Sequence, residues 1–147
     1  MDNIKFMLDA NAFPPERAHK EDAGWDLRTP IDFTVNPATI LGYLSDGSAT
    51  INTGIHVEIP YGYVGMLKSK SGLNVKHHLT GEGVIDAGYT GSIVVKLYNR
   101  GKEEVKFKRG DKIIQLVIVP CYTGEMVQAD SLDETDRGSN GFGSTGR

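Results

Sequence analysis

The residues of this chain that could do chemistry lie in short, glycine-rich stretches, and the carboxyl-terminal one is the most distinctive. It reads Arg137-Gly138-Ser139-Asn140-Gly141-Phe142-Gly143-Ser144-Thr145-Gly146 and combines a guanidinium with several hydroxyl groups. Such a segment can wrap a phosphate with backbone N–H groups, hydroxyls and a bidentate arginine. A phenylalanine ring can in turn stack on a nucleic base. The alternative is a flexible tail without a function, since glycine-rich tails are common.

A second stretch, Lys68-Ser69-Lys70-Ser71-Gly72-Leu73, places two cations and two hydroxyls before a predicted short helix over Gly72–His77. This arrangement suits a phosphate, because a helix N-terminus presents unpaired N–H groups. A serine N-cap with solvated lysines is the structural alternative, and this stretch alone favours it.

A third stretch, Gly81–Gly91, is typical of a hairpin that returns through Ser92–Tyr98. Glycine lets the backbone of such a hairpin approach a planar base closely. Asp86 follows an apolar pair and is a candidate general base. It could equally be a turn aspartate that binds its own backbone.

Two further stretches, Ala23–Leu27 and Arg109–Leu116, are weaker signals. Asp26 could reach a metal through water, and Gln115 is an amide in an apolar strand that needs a partner. The four histidines show no zinc-ligand spacing with Cys121 and are predicted to be surface or packing residues. Cys121 ends an apolar strand and is predicted to be a buried small hydrophobe.

The elements that must position these residues are mostly strands. Alternation of apolar and polar residues or β-branched composition predicts strands at Ile51–Pro60, Tyr63–Leu67, Ser92–Tyr98, Val105–Phe107 and Ile113–Val119. Many short strands with glycine-rich turns predict an all-β sandwich or jelly roll. Residues 36–48 and the tail from about Leu132 are predicted to be irregular, the tail being too polar to order itself.

Composition excludes several classes of protein. The chain has 147 residues, enough for one domain, and its net charge of −3 disfavours a non-specific nucleic-acid binder. No apolar run approaches the roughly 20 residues of a membrane span, and the first residues predict no signal peptide. A single cysteine excludes a disulfide framework.

Taken in order, five stretches resemble the five motifs of the trimeric dUTPase family. They are Ala23–Leu27, Lys70–Leu73, Gly83–Gly91, Gly110–Leu116 and Arg137–Gly146, and together they span nearly the whole chain. The resemblance implies a jelly roll of the β-clip type, with a core over residues 1–132 and a glycine-rich arm over 133–147. It further implies a homotrimer with three active sites at subunit interfaces, in the cytoplasm of a bacterial or phage-infected cell. The implied reaction is hydrolysis of dUTP to dUMP and pyrophosphate, which limits uracil in DNA and supplies the precursor of thymidylate.

The resemblance also implies a role for each site residue. Asp86 would deprotonate the attacking water, Tyr89 would pack under the deoxyribose, and Asp26 would reach Mg²⁺ through water. The uracil edge would be read by Gly81, Gly83, Val84, Ile85 and Val94. The phosphates would be bound by Lys70, Ser71, Gly72 and Gln115, and the arm would contribute Arg137, Phe142, Gly143, Ser144 and Thr145. In the family pattern the hairpin comes from one subunit, the first, second and fourth motifs from a neighbour, and the arm from the third.

The chain departs from the family pattern at a few positions. Lys70 stands where arginine is usual, which replaces a bidentate fork by a point charge. Thr90 replaces a frequent arginine, and Asn140 occupies a usual glycine position. Two other functions stay open at this point: a dCTP deaminase-like enzyme, for which Glu82 is the nearby glutamate, and a phage-type regulator acting by protein binding, with the 36–48 link as its candidate surface.

Overall fold

Strands dominate the computed structural model, which describes residues 3–39 and 45–139. Its first strands are β1 (Phe6–Leu8), β2 (Gly24–Arg28), β3 (Phe33–Val35), β4 (Ser48–Asn52), β5 (Ile55–Val57) and β6 (Tyr63–Lys68). They are followed by the helix α1 (Ser71–His77) and by β7 (Leu79–Thr80), β8 (Glu82–Ile85), β9 (Val94–Asn99), β10 (Val105–Phe107) and β11 (Lys112–Pro120). The all-β prediction is confirmed, and so is the short helix.

The strands pair antiparallel in two main sheets. One sheet has the order β2-β11-β6-β8, and the other has the order β4-β9-β7. Two smaller pairs, β1 with β5 and β3 with β10, flank them. This is the jelly-roll architecture that the strand pattern predicted.

The core consists of apolar side chains contributed by both sheets. In β9 the burial alternates, so that Val95 and Leu97 point inward while Val94 and Lys96 are exposed. Leu67, Ile114 and Leu116 of the four-stranded sheet join the same cluster. Each fully buried side chain of this kind stabilises the fold by roughly 1.5–3 kcal/mol.

The predicted single strand Ile51–Pro60 is wrong in one respect, because the chain turns a corner within it. The strand β4 pairs with β9, whereas β5 pairs with β1. Between them Gly54 adopts a φ of +68°, which a residue with a side chain rarely adopts. The buried Thr53 hydroxyl donates to the Ile93 carbonyl at 2.7 Å and accepts from the Ile55 N–H at 3.2 Å. These bonds fix the corner, where Thr53, Gly54 and Ile55 are buried in succession and the alternation is interrupted.

Other details also differ from expectation. The segment Gly81–Gly91 does not form a paired hairpin with the strand that follows, because β8 pairs with β6 while β9 pairs with β4 and β7. Cys121 is partly exposed rather than buried. The link 36–48 is described only at its ends, where Ala38 and Asp46 form an isolated bridge. Across the described residues, no helix has the length and apolar character needed to cross a membrane.

The Thr53 corner makes a prediction about stability. Replacing Thr53 with valine keeps the shape and removes the hydroxyl, so the buried Ile55 N–H loses its partner. We expect Thr53→Val to lower the free energy of unfolding by about 1–2 kcal/mol in urea denaturation at fixed protein concentration. The same change at the exposed Thr50 of β4 is the control, with an expected effect within about 0.5 kcal/mol. Equal losses in the two variants would contradict the assigned role of Thr53.

Candidate active site

Three of the five motifs meet because their strands are neighbours in one sheet. The central strand β11 places Gln115 opposite Asp26 of β2 on one side and opposite Lys68 of β6 on the other. The side-chain amide of Gln115 donates to the Ser69 carbonyl at 3.1 Å, which satisfies the polar group predicted to need a partner. The first, second and fourth motifs therefore form one cluster within a single chain.

Asp26 is the charged centre of this cluster. Its side chain is only 12% exposed, and its carboxylate accepts hydrogen bonds from Lys70 and, at 2.9 Å, from Lys112. Burial raises the pKa of Asp26, but the hydrogen bonds and charges of Lys70 and Lys112 outweigh it and hold that pKa below its ordinary value. The lysine predicted to bind phosphate and the aspartate predicted to reach a metal are thus in direct contact.

The same carboxylate determines how a metal could bind. Among the described residues, no group of three or more His, Cys, Asp or Glu side chains could hold a metal ion. The two oxygens of Asp26 already accept from lysines, one from Lys70 and the other from Lys112. Because Mg²⁺ keeps several waters and needs few protein carboxylates, Asp26 fits a contact through water and does not form part of a protein cage.

The start of α1 differs from a serine N-cap with solvated lysines. The N-cap residue is Lys70, in an extended conformation, and no side chain caps the helix. Ser71 is the first helical residue, so the predicted serine N-cap is wrong, and Lys70 is ion-paired rather than solvated. Ser71 and Gly72 are exposed, and the space around Gly72 is open. The first N–H groups of α1 are therefore not occupied by a capping side chain.

Ser69, a hydroxyl residue of the second stretch, joins this cluster to the residue before β8 through bonds that the sequence did not predict. The Ser69 hydroxyl accepts from the Gly81 N–H at 2.9 Å and donates to the Gly81 carbonyl at 3.1 Å. A Cβ at position 81 would lie 2.9 Å from Leu97 Cδ2 and 3.0 Å from the Lys96 carbonyl, so only glycine fits there without displacement. Nothing in the local sequence signals this bond, because it depends on the register between β6 and β8.

The turn after β8 presents the candidate base. Asp86 is exposed, and the Tyr89 N–H donates to the Asp86 carbonyl at 3.1 Å. Gly88 has a φ of +89°, as the third residue of a type II turn requires. Tyr89 is 46% exposed and its hydroxyl donates to the Ser92 carbonyl at 3.0 Å.

Apolar surface flanks that turn. Val84 and Val94 are exposed, whereas Ile85 is buried in the core, so that only the backbone of Ile85 could meet a ligand. Gly83 is half-buried against Leu67. Asp86 thus lies beside an exposed apolar surface, and among the described residues its carboxylate has no hydrogen-bond or ion-pair partner.

Within one chain the turn and the lysine cluster lie far apart. The register pairs Ile85 with Gly65 and Glu82 with Lys68, which places Asp86 beside Val64, six residues before Lys70. At about 3.3 Å per extended residue, Asp86 and Lys70 are roughly 15–20 Å apart. Arg137 lies in an exposed irregular segment, and Asn140, Phe142, Gly143, Ser144 and Thr145 lie outside the described residues.

Comparisons with known proteins identify the family. The dUTPase family model matches residues 10–146. The chain is 38% identical over 147 residues to the mouse (Mus musculus) deoxyuridine 5'-triphosphate nucleotidohydrolase, covering 99% of this chain and 86% of that protein. The Staphylococcus bacteriophage 80alpha dUTPase with dUPNHPP superposes with a TM-score of 0.84 and 33% identity, covering 100% of both chains.

A mutant dUTPase from phage phi11 of S. aureus, described with a structural Mg(II) ion, superposes with a TM-score of 0.79 and 31% identity, covering 90% of this chain and 100% of that one. The fold, the ordered motifs and these matches agree over nearly the whole length of the chain. The chain belongs to the dUTPase family.

The Asp26 ion pairs predict a pH dependence. Asp26→Asn removes the shared counter-charge of Lys70 and Lys112, and we expect a loss of about 1–2 kcal/mol in unfolding free energy near neutral pH. Because the folded pKa is lowered, this contribution is fully present above the ordinary value of 3.8 and is lost as pH falls through the folded value.

The stability difference between wild type and Asp26→Asn should therefore shrink on acidification, as measured by urea unfolding between about pH 7 and about pH 3. The exposed Asp130, changed to asparagine, is the control and should track the wild type. A difference that is the same at every pH would contradict the assignment.

Proposed function

We propose that the protein hydrolyses dUTP to dUMP and pyrophosphate. The observation that carries this proposal is the exposed Asp86 carboxylate in its type II turn, in a chain whose other four motifs follow the family order. A general base that deprotonates water must be accessible to that water and must not be occupied by another hydrogen-bond or ion-pair partner. Asp86 meets both conditions among the described residues.

Asp86 acts in this proposal as the general base. A water molecule attacks the α-phosphorus while its proton passes to the Asp86 carboxylate. The bond from that phosphorus to the oxygen bridging the β-phosphate then breaks, and pyrophosphate leaves. Positioning and charge neutralisation provide most of the rate, as in other phosphoryl transfers.

The phosphate chain is bound by the lysine cluster and the start of α1. Lys70 supplies a point charge, Ser71 and Gly72 supply a hydroxyl and uncapped N–H groups, and Gln115 holds the segment through the Ser69 carbonyl. Mg²⁺ carried mostly by the triphosphate would supply further charge neutralisation, and Asp26 would hold it through a water molecule.

The base and the sugar are recognised at the other end of the site. The backbone of Gly81, Gly83, Val84 and Ile85, with Val94 beside it, reads the uracil edge. The exposed ring of Tyr89 packs under the deoxyribose and leaves no room for a 2′-hydroxyl. The arm, residues 133–147, closes over a bound nucleotide, with Phe142 on the base and Arg137, Gly143, Ser144 and Thr145 around the γ-phosphate.

We further propose that the active enzyme is a homotrimer with sites shared between subunits. The separation of Asp86 from Lys70 within one chain supports sharing, because both must meet the same nucleotide. A second support is the exposed segment after β11, in which four apolar residues are 83–100% exposed: Tyr122, Met126, Val127 and Leu132. Surface of that kind is typical of contacts between protein chains.

The two alternative functions are not favoured. Glu82, the glutamate that a deaminase-like reaction would need, is exposed and pairs with Lys68 at 3.3 Å. No contact of the described part of the 36–48 link points to a regulatory partner. The cytoplasmic location and the division into a core over residues 1–132 and an arm stay predictions.

The reaction is tested by pyrophosphate release from dUTP and from the four standard deoxynucleoside triphosphates. We expect hydrolysis of dUTP alone, and a fall in kcat of at least about 100-fold in Asp86→Asn, because the water loses its base. The exposed Glu104, changed to glutamine, is a matched control on the surface and should leave kcat unchanged. Near-normal turnover of Asp86→Asn, or release of ammonia from dCTP, would contradict the proposal.

Site sharing is tested by complementation. Asp86→Asn and a variant lacking residues 138–147 should each be nearly inactive, yet unfolding and refolding them together should restore activity. With random trimers, about a quarter of the sites combine an intact base with an intact arm from different chains. A refolded mixture as inactive as either parent would mean that each site is built within one chain.

A further inference from the structure

His56, which the sequence predicted to be a surface or packing residue, bridges two parts of the molecule. Its side chain, on β5, is 22% exposed. Nδ1 lies 2.7 Å from the Thr90 carbonyl oxygen, and Nε2 lies 3.2 Å from a carboxylate oxygen of Asp9. A carbonyl and a carboxylate only accept hydrogen bonds at neutral pH. Both ring nitrogens must therefore donate, which only the doubly protonated imidazolium can do.

The electrostatic surroundings of His56 favour the same state. The hydrogen bond to the Thr90 carbonyl raises its pKa, burial lowers it, and Asp9 raises it, so that the net pKa lies above the ordinary 6.5. Asp9 is the charged group that faces the ring, while the neighbouring Lys5 and Glu58 pair with each other at 3.1 Å. The turn contributes a carbonyl and no charge to this shift.

The contact matters because Thr90 directly follows Tyr89 in the turn that carries Asp86. In the described part of the chain, two other side-chain hydrogen bonds involve that turn, one within it and one to β4. The Tyr89 hydroxyl donates to the Ser92 carbonyl, and the Ser92 hydroxyl donates to the Asn52 side chain at the end of β4. Of the three, the bond from His56 to Thr90 is the only one whose donor titrates near neutral pH.

The other side of His56 is equally anchored. Asp9 donates its N–H to the Gly54 carbonyl at 2.8 Å, so it is fixed to the corner between β4 and β5. The same corner holds the end of the turn segment, because Ile93 donates its N–H to the Ile55 carbonyl at 2.8 Å. The imidazolium thus spans two points that the fold already holds near each other.

We propose that protonated His56 is a positioning residue that fixes the turn 86–92, and with it Asp86 and Tyr89, in the geometry needed for hydrolysis. We call the two hydrogen bonds from His56 to Thr90 and Asp9 the clamp. The positioning role rests on the proposed function, whereas the clamp itself does not. On deprotonation the imidazole keeps one N–H and can serve only one of its two acceptors. Because the folded pKa is raised, the clamp is complete below pH 6.5 and is lost as pH rises through the folded value.

The clamp is tested by NMR titration of the histidine rings and of the Gly91 amide, which follows the Thr90 carbonyl in the chain. We expect His56 to titrate with a pKa above 6.5, and the Gly91 amide shift to follow that same pKa. Asp9→Asn should lower the pKa of His56, because Asp9 raises it. His19→Gln is the matched control and should leave the titration of His56 unchanged, since His19 is exposed and lies in a different loop. A His56 pKa at or below 6.5, or a Gly91 amide that does not respond, would overturn the clamp.

The positioning role is tested by kcat and KM for dUTP between about pH 6 and about pH 9, in wild type and in His56→Gln. Glutamine keeps an N–H donor and does not titrate. Dividing the kcat of the wild type by the kcat of His56→Gln therefore cancels the ionisation of Asp86 and of the substrate. We expect that ratio to be roughly 3–10 at low pH and to approach one as His56 loses its proton, with KM changing less. A ratio of one throughout, or one that is independent of pH, would overturn the role. Absence of hydrolysis by the wild type would instead refute the proposed function, and the NMR titration would still decide the clamp.

Discussion

The register of β11 against both of its neighbours is the constraint on which the rest of the site depends. Because Gln115 faces Asp26 on one side and Lys68 on the other, three motifs that are far apart in sequence become adjacent. A slip of one residue would turn Gln115 toward the opposite face and remove its bond to the Ser69 carbonyl. The buried Ile114 and Leu116 on either side of Gln115 oppose such a slip, since their side chains fill the core.

That register also explains how the cluster keeps two lysines close together before any phosphate binds. Lys70 and Lys112 repel each other, and the shielded Asp26 between them offsets that repulsion. An arginine at position 70 would fix its charge through a planar fork, whereas the lysine depends on Asp26 for its direction. In the proposed reaction a triphosphate draws Lys70 toward it, and Lys112 stays the partner of Asp26. The lysine at position 70 is thus directed by an ion pair in place of a planar fork.

The pattern of apolar and polar residues predicted those strands and the helix that depend mainly on residues close together in the sequence. The alternation in Ser92–Tyr98 predicted β9 because one face of that strand is buried, and the pattern of Gly72–His77 predicted the helix to within one residue. The corner at Thr53 was missed, since the hydroxyl that fixes it bonds to Ile93, forty residues away in the sequence. Ser69 and His56 were missed as connectors for the same reason, as their partners Gly81 and Thr90 lie on other strands and turns. The five motifs were recognised from residue types and their order, which do not depend on knowledge of the contacts.

The two halves of the candidate site are held by charges that respond to pH in opposite directions. The lysine cluster depends on ionised Asp26. Because the pKa of Asp26 is lowered, the cluster stays intact until the pH falls below 3.8. The turn with Asp86 depends on protonated His56. Because the pKa of His56 is raised, the clamp stays intact until the pH rises above 6.5. Both ionic contacts are present together only where Asp26 and Asp9 carry their charge and His56 is protonated. In the proposed reaction both halves act on one nucleotide, so the proposal restricts full assembly of the site to solutions in which Asp26 and Asp9 are ionised and His56 is protonated.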